Sequence, residues 1–291
     1  MPLRIVIVGP GRVGSAFGHR LSKRGCDLLG FIGPPHRVEQ AVLFARAGQA
    51  LEGSAVSRAH IVVFAVGDED LALAVATAVR AGPPRSCSLW LHTSGRHDLT
   101  VFDPAADHGI RRGSLHPVAP FADAASGLRA MAGAPAVIDG DPRSLRLLRR
   151  LCELLSLVPV PWAGADRAAY HAGCALAANG LTALYGLCQD VFATAGGFAA
   201  EERRRLVDAL MEAALRGCSE RGAVAALSGP VRRGDADVLK AHIQSLARLL
   251  PEALPAYRAL MQRALELAVA AGLDPNAVAA VRHALAVPGP R

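Results

Sequence analysis

The stretch RIVIVGPGRVGSAFGHRLSK, Arg4 to Lys23, carries the decision about the fold. A short β-branched run enters Gly9-Pro10-Gly11-Arg12-Val13-Gly14, and a helical pattern continues to Lys23. In the spacing GxGxxG the first glycine permits a tight turn and the second lets a pyrophosphate approach the backbone. The third allows the helix to lie close on the strand. The helix start then offers N–H donors and a favourable dipole to an anion. A dinucleotide site is expected at Gly9, Gly11, Arg12, Val13 and Gly14, with a purely structural turn as the alternative.

Outward from this turn, residues 1–162 alternate β-rich runs with helical stretches: RIVIVG, CDLLGFIG, IVVFAV, SLWLHT, RRGSLH, APAVID and LVPVPW are the candidate strands. Strands separated by helices predict a Rossmann-type α/β domain with a mostly parallel sheet covered on both faces. From Asp166 the pattern changes to long Ala/Leu helices, with breaks at Ala195-Gly196-Gly197, at Ser228-Gly229-Pro230 and near Pro251. The expected division is a nucleotide-binding domain over 1–162 and an all-α domain for substrate and dimer contacts over 163–291. The tail VPGPR is expected to fray.

The segment FIGPPHRVEQ, 31–40, bears on which dinucleotide binds. An acid near the end of the second strand would grip a ribose 2′-hydroxyl, but Gly33 stands there and Arg37 follows. A planar guanidinium suits a 2′-phosphate, so NADP(H) is expected over NAD(H), unless Arg37 only begins a surface helix. Val66 and Gly67, ending IVVFAVG, complete the expected cofactor contacts.

In an open parallel sheet, ligands bind beyond the carboxyl ends of the strands. His92-Thr93-Ser94-Gly95 and Ser114-Leu115-His116-Pro117 fall at such ends, so Ser94 and His116 are candidate reacting groups, with turn or capping roles as the alternative. The run from Ala168 to Gln189 has no Asp, Glu, Lys or Arg but contains His171 and Asn179. Such polar groups are costly in hydrocarbon, so a helix buried by protein is expected instead of a membrane span. On a regular helix, eight residues separate His171 and Asn179 by about 80°, close enough to line one side of a cleft. In ALSGPVRRGDADVLKAHIQSL, Arg232 or Arg233 could hold a carboxylate in bidentate fashion, and Asp235 and His242 return nearly to one helix face. The alternative leaves Asp235 as a cap and the arginines on the surface.

At these residues the chain resembles a known family over almost its full length. GPGRVG, HTSG, SLHPVAPF, AAYHAGCALAAN and ALSGPVRRGD followed by His242 resemble the oxidoreductases in which a Rossmann-like domain joins a helical domain of unknown function 2520. A Pro-Asp turn usual in that family is Gly67-Asp68 here. More distantly the arrangement is similar to the 6-phosphogluconate dehydrogenase-like superfamily, whose hydroxyacid dehydrogenases place a lysine four residues before an asparagine. Four before Asn179 is Ala175, so that lysine mechanism does not carry over, and His171 is the nearest chemical substitute.

The resemblance and the residues together predict hydride transfer between NADP(H) and a small 2-keto acid, ketopantoate-like compound or imine at the domain interface. His171 would supply the proton, Ser94 and Asn179 would hydrogen-bond the oxygen, and His116 is the alternative acid. A protein that binds NADP without turnover, as a redox sensor, is the rival reading. The net charge of +7 is dispersed and only 4% of residues are aromatic, so no nucleic-acid partner is expected. Six cysteines without CxxC or zinc spacing suit a reducing cytoplasm and predict no metal. The five-residue apolar stretch in MPLRIVIVGPG is too short for a signal-peptide core. The uncharged helix needs more cover than one small domain gives, so a homodimer is expected.

Overall fold

The computed structural model describes residues 2–286; the tail expected to fray, 287–291, lies outside the described residues. All seven candidate strands form and join in one sheet: β1 (Arg4–Val8), β2 (Asp27–Ile32), β3 (Ile61–Phe64), β4 (Leu89–His92), β5 (Arg111–Pro117), β6 (Pro135–Gly140) and β7 (Val158–Pro161). Their order is β2-β1-β3-β4-β5-β6-β7. Every neighbouring pair is parallel except β5 and β6, which run antiparallel with Gly113 opposite Gly140 and His116 opposite Val137.

Side chains on successive strand residues face opposite ways, and the core divides accordingly. Ile5 and Ile7 pack with Phe17, Leu21, Phe31, Leu91 and Leu115, whereas Val6 and Val8 pack on the other face with Phe64, Val75, Trp90 and Phe102. Burial on both faces explains why β1 and β3 read as continuous apolar runs without alternation. The covering helices include α1 (Arg12–Lys23), α2 (Pro35–Ala45), α3 (Leu71–Ala81), α4 (Ala124–Ala130) and α5 (Pro142–Leu155). From β1 the chain moves outward to β2 and then returns past β1 to β3. The sheet therefore has its topological switch point between β1 and β3, where the carboxyl ends open a crevice.

The chain divides into two compact units, residues 1–178 and 179–291. Helix α6 (Arg167–Ala175) belongs to the first, although the sequence pattern put residues from 163 with the helical part. The second unit contains α7 (Leu181–Ala195), α8 (Ala200–Ala226), α9 (Gly229–Arg233), α10 (Ala236–Leu249), α11 (Leu254–Ala270) and α12 (Pro275–Ala286). Its core is Val231, Leu239, Ile243, Leu265, Ala268, Val281 and Leu285. The three expected helix breaks are present, and Gly222 adds another inside α8. Among the described residues, no helix is long and apolar enough to cross a membrane.

Candidate active site

The crevice at the switch point is a cleft of about 1050 Å³ lined by Gly9, Gly11, Arg12, Val13, Arg37, Gln40, Val66, Gly67 and Asp123, among others. All the expected cofactor residues except Gly14 line it, and Gly14 sits beneath. Gly9 has φ +97°, and a β-carbon on it would lie 2.6 Å from the Ala65 carbonyl. A β-carbon on Gly14 would run into the Gly9 carbonyl oxygen, so the third glycine lets α1 lie against the end of β1. Gly11 differs: nothing stands within 4 Å of where its β-carbon would be. It caps α1 with no side-chain hydrogen bond, and no acid occupies the first turn. The free N–H groups and open space fit a phosphate-bearing dinucleotide. A side chain at Gly33 would strike the Pro10 ring, so the position expected for a ribose-binding acid is closed to any residue larger than glycine.

Two strand steps beyond β1, the loop after β4 forms the next part of the same rim. Ser94 Oγ accepts from the backbone N–H of Arg96 and of His97, at 3.1 and 3.2 Å, which holds the loop in a tight turn. His97 Nε2 donates to the Asp68 carbonyl at 3.0 Å and ties this loop to the one after β3. The turn brings Gly95 beneath two imidazoles. A β-carbon there would lie 2.9 Å from His116 Nε2 and 2.9 Å from His171 Nδ1. The rings stand edge to face with centroids 6.1 Å apart, and His171 Nδ1 is buried with no hydrogen-bond partner. On its other side His116 Nδ1 lies 2.7 Å from the Tyr170 hydroxyl.

Below this group, Arg167 is buried at 8% exposure. Its guanidinium pairs with Asp139 at 2.7 Å, donates to Ser114 Oγ at 3.1 Å and stacks 4.3 Å from the Trp162 ring centroid. Burial first, then the neighbouring His171 and Arg167 charges, hold His116 down at about 4 against an opposing pull from Asp68. His92, fully buried beneath the loop, is also held down at about 4 by burial, partly offset by its donation to the Asp98 carbonyl. Both rings are therefore neutral near pH 7.

Residues 134–264 match the domain of unknown function DUF2520, and residues 1–117 match a Rossmann-like domain. The chain thus carries a Rossmann-like match followed by a DUF2520 match. No curated protein matches its sequence. Among solved structures it is similar to a protein from Bacteroides fragilis described as an NADP oxidoreductase, with 18% identity and a TM-score of 0.74, covering 91% of this chain and 98% of that one. It also resembles a pyrroline-5-carboxylate reductase from Coxiella burnetii, at 15% identity and TM-score 0.59 over 99% of this chain and all of that one. An imine reductase from Pseudomonas sp. aligns at 15% identity and TM-score 0.62 over 98% of this chain and 100% of that one. At these identities the likeness is one of fold.

Within the DUF2520 match, the other expected site residues have local engagements. Arg233 pairs with Asp235 at 2.8 Å, Arg232 donates to the Ala271 carbonyl at 3.3 Å, and His242 Nδ1 lies 2.8 Å from the Tyr257 hydroxyl. Asp235 therefore meets an arginine beside it, at the N-terminal end of the helix that carries His242. Asn179 is exposed, and the regular helix assumed between it and His171 is interrupted by a π-helical turn over Leu176–Gly180, whose wider winding changes the angular phase. Asp139, Trp162, Arg167 and Tyr170 are the participants that sequence reasoning missed. The lone acid closing the apolar run APAVID was the available signal for Asp139, and nothing local pointed to its partner.

The depressed histidines make stability pH-dependent. Unfolded rings titrate near 6.5 whereas the folded His92 and His116 titrate near 4, so the unfolded state binds more protons between those values. Stability is then fully present above pH 6.5 and is lost as pH falls through that window. Thermal melts should show Tm declining from pH 6.5 downward, while Asp98 and Asp141, both held low by backbone and side-chain hydrogen bonds, are still ionised. An unchanged Tm between pH 7 and pH 5 would contradict this.

Proposed function

We propose that the chain is an NADP-dependent reductase of a small carbonyl or imine compound, a 2-keto acid or cyclic imine being the substrate class. The observation that carries this reading is the convergence of His116 Nε2 and His171 Nδ1 over Gly95, on the same rim as the glycine cradle. Strands lie about 4.8 Å apart, so His116 on β5 is roughly 14 Å along the rim from β1. A dinucleotide with its pyrophosphate at Gly11 and its adenosine toward Arg37 would extend its other end in that direction.

When bound, reduced nicotinamide supplies a hydride to the substrate carbon. As the carbon–oxygen or carbon–nitrogen π bond breaks, its electron pair moves onto the heteroatom, which must then take a proton. His171 donates that proton, and the neutral His116 ring hydrogen-bonds the same heteroatom from the other side. Ser94 holds the loop that leaves the space above Gly95 open. The products are an alcohol or amine and oxidised nicotinamide.

The preference for NADP(H) rests on Arg12 and Arg37 facing one cleft and on the closed position at Gly33. Fluorescence titration should show tight NADPH binding and weak NADH binding, followed by NADPH oxidation when keto acids and imines are screened. Arg37→Ala should weaken NADPH about 10-fold, roughly one charged hydrogen bond, and leave NADH unaffected. Binding of neither nucleotide would end the reductase reading.

A second copy of the chain is the proposed cover for the helical part. No residue of α7 is buried within the chain, and Leu176, Leu210 and Leu215 are 74%, 63% and 64% exposed. The uncharged run expected to be buried is thus not buried by its own chain. Light scattering at micromolar concentration should give twice the chain mass; a monomer would refute the dimer. Six free cysteines suit a reducing cytoplasm as its setting.

A further inference from the structure

We propose that Tyr170 is a positioning residue that sets the tautomer of His116: its hydroxyl donates to Nδ1, so the ring proton stands on Nε2, facing the space above Gly95. The role in chemistry rests on the reductase reading, but the tautomer itself does not. A neutral imidazole carries one N–H, and the partner of one nitrogen dictates what the other can do. With the proton on Nε2, His116 gives a hydrogen bond to a substrate oxygen or nitrogen. On Nδ1 it would present a lone pair to that same atom and repel it.

The geometry favours the first arrangement. Tyr170 is seated by Trp162, whose ring centroid is 5.4 Å away and whose plane is inclined at 67°, and by α6 itself, so its hydroxyl is aimed at Nδ1 from a fixed base. Burial, reinforced by the contact with Cys174, raises the Tyr170 pKa, so the phenol keeps its proton at neutral pH. The imidazole nitrogen, 2.7 Å away, is a strong acceptor for that proton. A phenol O–H given to Nδ1 leaves the ring's own proton on Nε2.

The test is long-range ¹H–¹⁵N NMR of the full-length protein labelled in its histidine rings, at pH 7, with the His116 signals assigned from His116→Gln. The expected result is an Nε2–H tautomer in the wild type and a shift toward mixed or Nδ1–H tautomers in Tyr170→Phe. If a reduced substrate has been found, Tyr170→Phe should also lower kcat about 10-fold with the NADPH Kd unchanged. An Nδ1–H ring in the wild type overturns the proposal, even if Tyr170→Phe does not fold, and so does a tautomer that Tyr170→Phe leaves unaltered. The spectrum needs no turnover: a tautomer that responds in a protein without reductase activity supports the Tyr170 role and removes only the proposed reaction.

Discussion

Gly11→Val is expected to abolish cofactor binding without disturbing the fold. The added β-carbon has open space around it, since nothing lies within 4 Å of its position, and Gly11 has an ordinary φ of −86°. Substitutions of this kind change stability by no more than about 0.5 kcal/mol, so Tm should hold to within a few degrees. The same three carbons would occupy the space through which a pyrophosphate reaches the uncapped N–H groups of α1. NADPH affinity should fall by at least about 10²-fold, or about 2.7 kcal/mol. Gly14→Val is the contrasting case, because its side chain enters the Gly9 carbonyl and should destabilise the protein itself. Unchanged NADPH affinity in Gly11→Val would show that the open cradle is not the phosphate site.

His171→Ala is expected to lower kcat about 10³-fold while leaving NADPH affinity unchanged. General acid catalysis contributes about 10² to 10⁴, and the Nδ1 atom removed is buried, unpartnered and directed at the space over Gly95. Since α6 lies on the far side of the rim from the glycine turn, cofactor binding serves as the internal control. Equal loss of NADPH affinity would mean that the histidine supports the cleft and does not act on substrate. Full activity would pass the proton-donating role to His116.

Much of the first unit could be read from the chain, because its signals are local. Strand runs buried on both faces and glycines at a strand-to-helix turn each act within a few residues, and all seven strands and the glycine turn were anticipated. The reading was weaker wherever a side chain's role depends on a partner far along the chain. Ser94 and His116 could be placed at strand ends, but the approach of His116 to His171 depends on how α6 packs. Arg167 and Asp139 are 28 residues apart and His116 and Tyr170 are 54 apart, so no periodicity links them. The π turn over Leu176–Gly180 escaped notice because the composition there supports an ordinary helix equally well. The antiparallel pairing of β6 was hidden for a related reason: the link from β5 carries a short helix, as a parallel crossover also would.

The ion pair between Arg167 and Asp139 has a consequence for how this protein could diversify. Arg167, Tyr170 and His171 occupy positions i, i+3 and i+4 of one helix, so they share a face and move as one piece. The arginine anchors that face to β5 through Ser114 and to β6 through Asp139, and both anchors are within 3.1 Å. A change that slid α6 to suit a new substrate would have to break a buried charge pair and would cost the protein its stability before it gained an activity. New specificities should instead accumulate on the opposite wall, at Arg96 and its neighbours after Gly95, where exposed side chains can be exchanged one at a time. In natural relatives or directed-evolution lineages, the helix would stay constant while the loop changes.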